Sequence, residues 1–183
     1  MELAKPSLEY RKSFIEAVNE GFSFSSLRDF TEEEKQKINN DFESFFKEKY
    51  DRVFAPAKII CEDGNSYDKV PDTTYWLVDE GEFIGQFSLR HYLNDFLFMH
   101  GGNIGYVIRP SKRKMGYATK GLGLVLTEAR KLGLDKVMIS AKEENIGSWK
   151  AIEKNGGELD NVTAMPWDTS GPRFKRYWIN LIN

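Results

Sequence analysis

The stretch Gly105-Tyr106-Val107-Ile108-Arg109-Pro110-Ser111-Lys112-Arg113-Lys114-Met115-Gly116-Tyr117-Ala118 decides how this chain folds. A β-branched and aromatic run stops at Pro110, a short basic loop follows, and a helix pattern starts at the small residues Gly116 and Ala118. Such a turn suits a pyrophosphate. Free N–H groups at a helix start point outward, and the helix dipole favours an anion there. Gly116 and Ala118 would let phosphates approach the backbone, and Arg113 and Lys114 add positive charge. Lys112-Arg113-Lys114 can also be read as a solvated basic loop before an ordinary helix. The stretch is neither Gly-x-x-x-x-Gly-Lys-Ser/Thr nor Gly-x-Gly-x-x-Gly.

Outward from this turn, the helix pattern runs to about Leu132, with Ala118, Leu122, Leu126 and Ala129 on one face and Gly133 as a C-cap. Lys136–Ala141 reads as a short buried strand. Asn145 caps a helix ending at Gly156-Gly157, and Arg173–Leu181 closes the chain as an alternating strand. On the N-terminal side, Ile104–Arg109 is preceded by strands Thr73–Val78 and Phe83–Tyr92, joined by the turn Asp79-Glu80-Gly81-Glu82. Residues 61–72 read as a loop. Earlier still, Ser7 caps a helix over about residues 8–20. Thr31 and Glu34 form a capping box for one helix over 31–54, with Ile38, Phe42, Phe45, Phe46 and Val53 on its apolar face. The order is α/β, helix-rich first and strand-helix-strand-helix later.

Composition narrows the function. The 183 residues fit one domain, 1–183, large enough to bury a core without disulfides or metals. The formal net charge of −2 argues against a nucleic-acid binder. A single cysteine, Cys61, permits neither an intrachain disulfide nor a cysteine-based zinc site, and no metal is expected. No window approaches the roughly 20 apolar residues of a membrane span, and the N-terminus lacks a secretion-signal pattern. A cytoplasmic protein without membrane partners is the expectation.

A second landmark lies downstream. Asn145-Ile146-Gly147-Ser148, followed by Ile152-Glu153-Lys154-Asn155-Gly156-Gly157, stands beyond strand Lys136–Ala141. Together with Arg113-x-x-Gly116-x-Ala118, it resembles the GNAT N-acetyltransferase superfamily; within that superfamily Ser88-Leu89-Arg90-His91, Gly101-Gly102-Asn103-Ile104-Gly105-Tyr106 and Arg176-Tyr177-Trp178-Ile179 resemble a group of predicted bacterial acetyltransferases without settled substrates. The resemblance implies an α/β fold: one mixed, mostly antiparallel sheet with helices on both faces. It implies acetyl-CoA as co-substrate and an amine as acceptor. Strand 104–109 would splay from Lys136–Ala141 and take the pantetheine arm along the backbone of Val107, Ile108 and Arg109. Amides from Arg113 through Lys114, Met115, Gly116, Tyr117 and Ala118 to Thr119 would hold the pyrophosphate. Asn145 would contact the arm or a water, and Ser148 would lie near the thioester sulfur. Asn145 and Ser148 can equally satisfy a helix N-terminus.

The implied chemistry is direct attack of an amine on a thioester, with no acyl-enzyme and no role for Cys61. A primary amine is neutral at pH 7 only to the order of one part in a thousand, so the site must deprotonate it or select its neutral form. An N–H near Val107 or Ile108 would steady the oxyanion. Two departures stand out. Ile152 occupies the place of a family tyrosine acid, and Asn103 stands near the place of a family glutamate base. His91 is then the candidate base and Ser148 a candidate catalytic hydroxyl, with His100, Tyr106, Asp95 and Glu80 as weaker candidates. Two other classes stay open: a non-catalytic acyl-CoA-binding module, and a phosphate- or nucleotide-binding module without CoA specificity. The acceptor, acyl preference and oligomeric state, a homodimer among the options, are not legible from sequence.

Overall fold

A computed structural model describes residues 1–24, 28–51, 58–60, 64–164 and 171–182, without the side chains of Ile59 and His100. Cys61 and Val53 lie outside these residues. Ser7 accepts a hydrogen bond from Glu9 N and starts a 3-10 turn, Leu8–Tyr10, that leads into α1 (Arg11–Asn19). The expected long helix is two, α2 (Glu32–Asn40) and α3 (Phe42–Tyr50). Asp41 between them leaves the helical region at φ −141° and ψ 63°, and its side chain caps α3 by accepting from Ser44 N. The capping box of Thr31 and Glu34 forms as expected.

Strand β1 (Glu2–Ala4) opens the chain, and β2 (Lys58–Ile60) pairs with β3 (Ser66–Asp68), a strand inside the expected loop. Next come β4 (Asp72–Asp79), β5 (Glu82–Arg90), the short helix α4 (Asp95–His100) and β6 (Ile104–Ile108). Then follow α5 (Tyr117–Lys131), β7 (Lys136–Lys142), α6 (Ile146–Lys154), β8 (Glu158–Thr163) and β9 (Phe174–Asn180). The strands β1-β4-β5-β6 form one four-stranded sheet and β7-β9-β8 a three-stranded one, with every ladder antiparallel. The short strands β1, β3 and β8 carry little periodic signal of their own; pairing with neighbours makes them strands.

Two cores lie on opposite faces of the β4-β5-β6 sheet. Leu77, Phe87 and Leu89 pack with Leu122, Val125 and Leu126 of α5 on one face. Phe14, Phe22, Phe42, Trp76 and Phe83 form an aromatic core with α1, α2 and α3 on the other. The fold is therefore α/β with helices on both faces, as the sequence implied. A register shift between Leu77 and Val78 resets the alternation. Beyond it Phe87 and Leu89 face α5, while Gln86 turns to the aromatic side and accepts hydrogen bonds from Tyr50 and Trp76. Ser88 and Arg90 follow Gln86 on that face by the period of two. The aromatic face of α2 and α3 is thus taken up by packing and does not wall a cleft directly.

Among the described residues the two larger sheets are bridged through their backbones at Gly102 and Asn103. An isolated bridge joins Gly102 to Ile139, Asn103 N donates to Met138 O at 2.7 Å, and Asn103 Oδ1 accepts from Met138 N at 2.9 Å. Gly102 has φ +85°, and a Cβ there would stand 2.3 Å from Met138 O, so only glycine fits this pivot. Beyond it β6 and β7 form no ladder with each other.

Candidate active site

The gap between β6 and β7 widens into a cleft of about 920 Å³. Its walls come from β5 (Gln86, Ser88, Arg90), β6 (Ile104 to Ile108), β7 (Ile139 to Ala141), the start of α5 and the start of α6, with Phe24 at the aromatic side. The backbone of β6 supplies polar groups to it by a simple parity. Arg109 N donates to Ile84 O at 2.9 Å and Arg90 N to Asn103 O at 2.8 Å. In an antiparallel ladder the bonded positions alternate, so the odd residues Gly105 and Val107 bond to β5. Ile104, Tyr106 and Ile108 turn their N–H and C=O groups toward the cleft. Val107 and Arg109, expected to take the arm, are engaged elsewhere: Val107 faces β5, Arg109 N donates to Ile84 O and Arg109 O accepts from Lys112 N at 3.0 Å. Ile108 turns its N–H toward the cleft, and its C=O accepts from Arg113 Nε.

The side chain of Arg109 also has another use. It is 4 % exposed and forms an ion pair with Glu20, donates from Nε to Glu20 Oε2 at 3.2 Å and from Nη1 to Phe83 O at 3.3 Å. Glu20 accepts in addition from Ser111 N at 3.2 Å, so the pair ties the basic turn to the end of α1.

The turn itself is open to an anion. A 3-10 turn over Pro110–Lys112 is followed by Lys114 at φ 63° and Gly116 at φ 85°, both left-handed. Gly116 is the N-cap of α5 and has no side chain to cap it. The first bond of the helix runs from Lys120 N to Gly116 O, so the N–H groups of Tyr117, Ala118 and Thr119 have no intrahelical acceptor. Arg113 donates from Nε to Ile108 O at 3.0 Å and so fastens the loop to β6, while Lys112 pairs with Glu82 at 2.6 Å. Met115 is largely exposed, and Tyr117 turns its hydroxyl to Asp79 at 2.8 Å. Among the described residues the cleft lining carries seven basic side chains, Arg90, Lys112, Arg113, Lys114, Lys142, Lys150 and Lys154, against one carboxylate, Glu144. A chain of slightly negative net charge thus has a positively charged cleft.

Asn145 caps α6 by accepting from Ser148 N at 3.2 Å, and both residues line the cleft. Opposite them, Tyr106 Oη lies 2.9 Å from Ser148 Oγ and 3.1 Å from Ser148 O. The ring stacks on Phe87 at 5.2 Å, and burial pushes the phenol up to about 12, against a smaller lowering by the Ser148 hydrogen bond. Tyr106 is therefore a neutral donor throughout the neutral range. Sequence gave it little weight, because only the tertiary fold brings β6 and α6 together. Ile152 is fully buried in the core. Asn155 donates to Thr119 O at 3.0 Å and locks the end of α6 to the start of α5.

His91 is not brought into the cleft. It follows β5 on the side of Leu89, and its Nε2 lies 2.9 Å from Thr73 Oγ1. Asp95 in α4 and Glu80, at φ 50° in the β4–β5 turn, are exposed and outside the lining. Asn103, read as a missing base, is a structural link between the two sheets. Among the described residues no cluster of three metal-ligating side chains forms, and no helix is long and apolar enough to cross a membrane.

A sequence model of the acetyltransferase (GNAT) domain matches residues 27–158. The chain belongs to the GNAT acetyltransferases. The match contains the cleft walls from Gln86 to Lys154, and solved structures extend the likeness to the GNAT fold as a whole. A GNAT-family acetyltransferase from Bacillus anthracis superposes with a TM-score of 0.62 at 20% identity, covering 98% of this chain and 93% of that one. A spermidine N-acetyltransferase from Vibrio cholerae gives 0.60 at 14% identity, covering 99% and 95%. The microcin C7 self-immunity acetyltransferase MccE, in complex with acetyl-CoA and AMP, gives 0.58 at 13% identity, covering 97% and 91%. No curated protein matches the chain.

Proposed function

We propose that residues 1–183 act as one acyl-CoA N-acyltransferase domain that moves the acetyl group of acetyl-CoA to a primary amine by direct attack. The observation that carries this reading is the parting of β6 from β7 beside an uncapped helix start. A pantetheine arm has amide groups along its length, and the N–H and C=O of Tyr106 and the N–H of Ile108, whose C=O is taken by Arg113, can pair with them as an added strand would. The N–H groups of Tyr117, Ala118 and Thr119 take the pyrophosphate, with Arg113 and Lys114 beside it. A likeness to GNAT structures, one of them holding acetyl-CoA, supports the same assignment.

The reaction breaks the thioester C–S bond and forms an amide C–N bond. One proton leaves the amine nitrogen and one arrives on the sulfur, so no metal or redox partner is needed for balance. An N–H on the cleft side of β6 donates to the carbonyl oxygen as its charge develops. When Tyr106 donates to Ser148 Oγ, the serine hydrogen is free to reach the departing sulfur. Ser148 is then the proton donor and Tyr106 positions it. Water in the open cleft takes the amine proton, and His91 stays outside the reaction.

The test is an amine panel with acetyl-CoA and detection of free thiol. Amine-dependent thiol release with a matching acetylated product supports the reading. Tight CoA binding with no release for any amine would replace it with a non-catalytic acyl-CoA-binding module, and binding of ATP but not CoA would replace it with a nucleotide site.

A further inference from the structure

Arg90 is the cation of the cleft that the acetyl-CoA assignment does not use. The other basic residues lie on the turn before α5, on α6 or at the end of β7, near where phosphates are expected. Arg90 stands at the end of β5, on the face it shares with Gln86 and Ser88 and opposite to Phe87. Its guanidinium lies over β6 at Gly105: a Cβ built there would be 3.6 Å from both Nη1 and Nη2 and 3.5 Å from Ser88 Oγ. One hydrogen bond holds it, from Nη1 to Gly102 O at 2.9 Å. Among the described residues no carboxylate forms an ion pair with it. Its cross-strand neighbour Asp72 is exposed and does not reach it. Burial disfavours its charge and Asp72 partly offsets this. Arg90 is one of the residues that line the cleft, and none of its side-chain nitrogens is fully buried without a hydrogen-bond partner.

A guanidinium that is largely desolvated, lines a substrate cleft and has no carboxylate partner among the described residues suits a carboxylate ligand. Gly105 and Val107 are neighbours on that face of β6, about 7 Å apart. A group held at Arg90 is therefore within a few bonds of an amine at the middle of β6. A polycation would instead meet uncompensated positive charge along this wall.

On the acetyltransferase reading above, we infer that the acceptor is an amine bearing its own carboxylate, an amino acid or a short peptide with a free terminus, and that Arg90 binds that carboxylate.

The probes are α-, β- and γ-amino acids, each paired with its primary amide, together with spermidine. They are titrated calorimetrically into the CoA-saturated protein and assayed in parallel as acceptors with acetyl-CoA. At least one acid is expected to bind better than its amide. Arg90→Met should weaken that acid by about 10- to 100-fold and leave the amide unchanged. Arg90→Lys should recover part of the loss, whereas a merely structural role for Arg90 would shift acid and amide together. Equal affinity for acids and amides, a preference that survives Arg90→Met, tighter binding of spermidine, or no binding of any acid would each overturn the inference. Arg90-dependent binding of acids without thiol release would leave the carboxylate site standing and remove the acetyltransferase reading alone.

Discussion

Asn103 Oδ1 accepts a hydrogen bond from Met138 N at 2.9 Å, and that side chain holds the two sheets together at the root of the cleft. Asn103 is 3 % exposed and also reaches Arg90 O with Nδ2 at 3.4 Å. Asn103→Ala leaves the Met138 N–H buried without an acceptor. A loss of about 1–3 kcal/mol is expected in chemical denaturation. Weaker CoA binding should accompany it, because the cleft opens from this link. An unchanged denaturation midpoint would mean that water replaces the side chain.

Gly116 has open space around its Cα on the side where a Cβ would stand. Gly116→Trp should therefore fold, at a modest cost for φ +85°, and place an indole where a pyrophosphate would lie. CoA affinity is expected to fall about tenfold or more, with the thermal unfolding midpoint nearly kept. Unchanged affinity by calorimetry would move the phosphate site elsewhere.

Ser148→Ala removes the hydroxyl proposed to protonate the sulfur, and Tyr106→Phe removes its partner. A drop in kcat of about 100-fold for Ser148→Ala is expected, and a smaller one for Tyr106→Phe. KM for acetyl-CoA should change little in both. His91→Ala should keep both kcat and the pH profile; a lost acidic limb in that variant would return the base role to His91.

The Arg109 hydrogen bond holds the Glu20 carboxyl at about 2, below the ordinary 4.5, with Ser111 helping and desolvation opposing. A carboxylate depressed in the folded state contributes stability that is present above the unfolded value and is lost as pH falls toward the folded one. Glu20→Gln lacks this contribution at every pH. The stability gap between wild type and variant should be widest above about pH 5 and close progressively below it, over the window between the two values. A gap independent of pH, by denaturation at a series of pH values, would assign the effect to packing.

Gly121 sits where α5 crosses Phe87, and a Cβ there would stand 2.5 Å from Phe87 Cζ. Helix propensity alone would make Gly121→Ala stabilising by just under about 1 kcal/mol. Overpacking should win, with a net loss of about 1–3 kcal/mol in the unfolding free energy.

Local signals in the sequence determined much of this protein. The helix α5 with its glycine N-cap, the cap at Asn145, the Thr31 and Glu34 box and the hairpin of β4 and β5 each rest on interactions within a few residues, so they were legible in order along the chain. The basic turn and the Asn145–Ser148 segment were legible for the same reason. The tertiary structure decided what depends on distant partners. It broke the helix at Asp41, whose cap replaces one turn of continuation. It paired the short strands β1, β3 and β8, which have no periodic pattern strong enough to stand alone. It assigned Val107 and Arg109 to β5 and left Tyr106 and Ile108 facing the cleft, because ladder parity is set by a neighbour and not by residue type. It set Tyr106 against Ser148, turned His91 to Thr73, and left Arg90 without a carboxylate, since burial and charge pairing are properties of the packed chain.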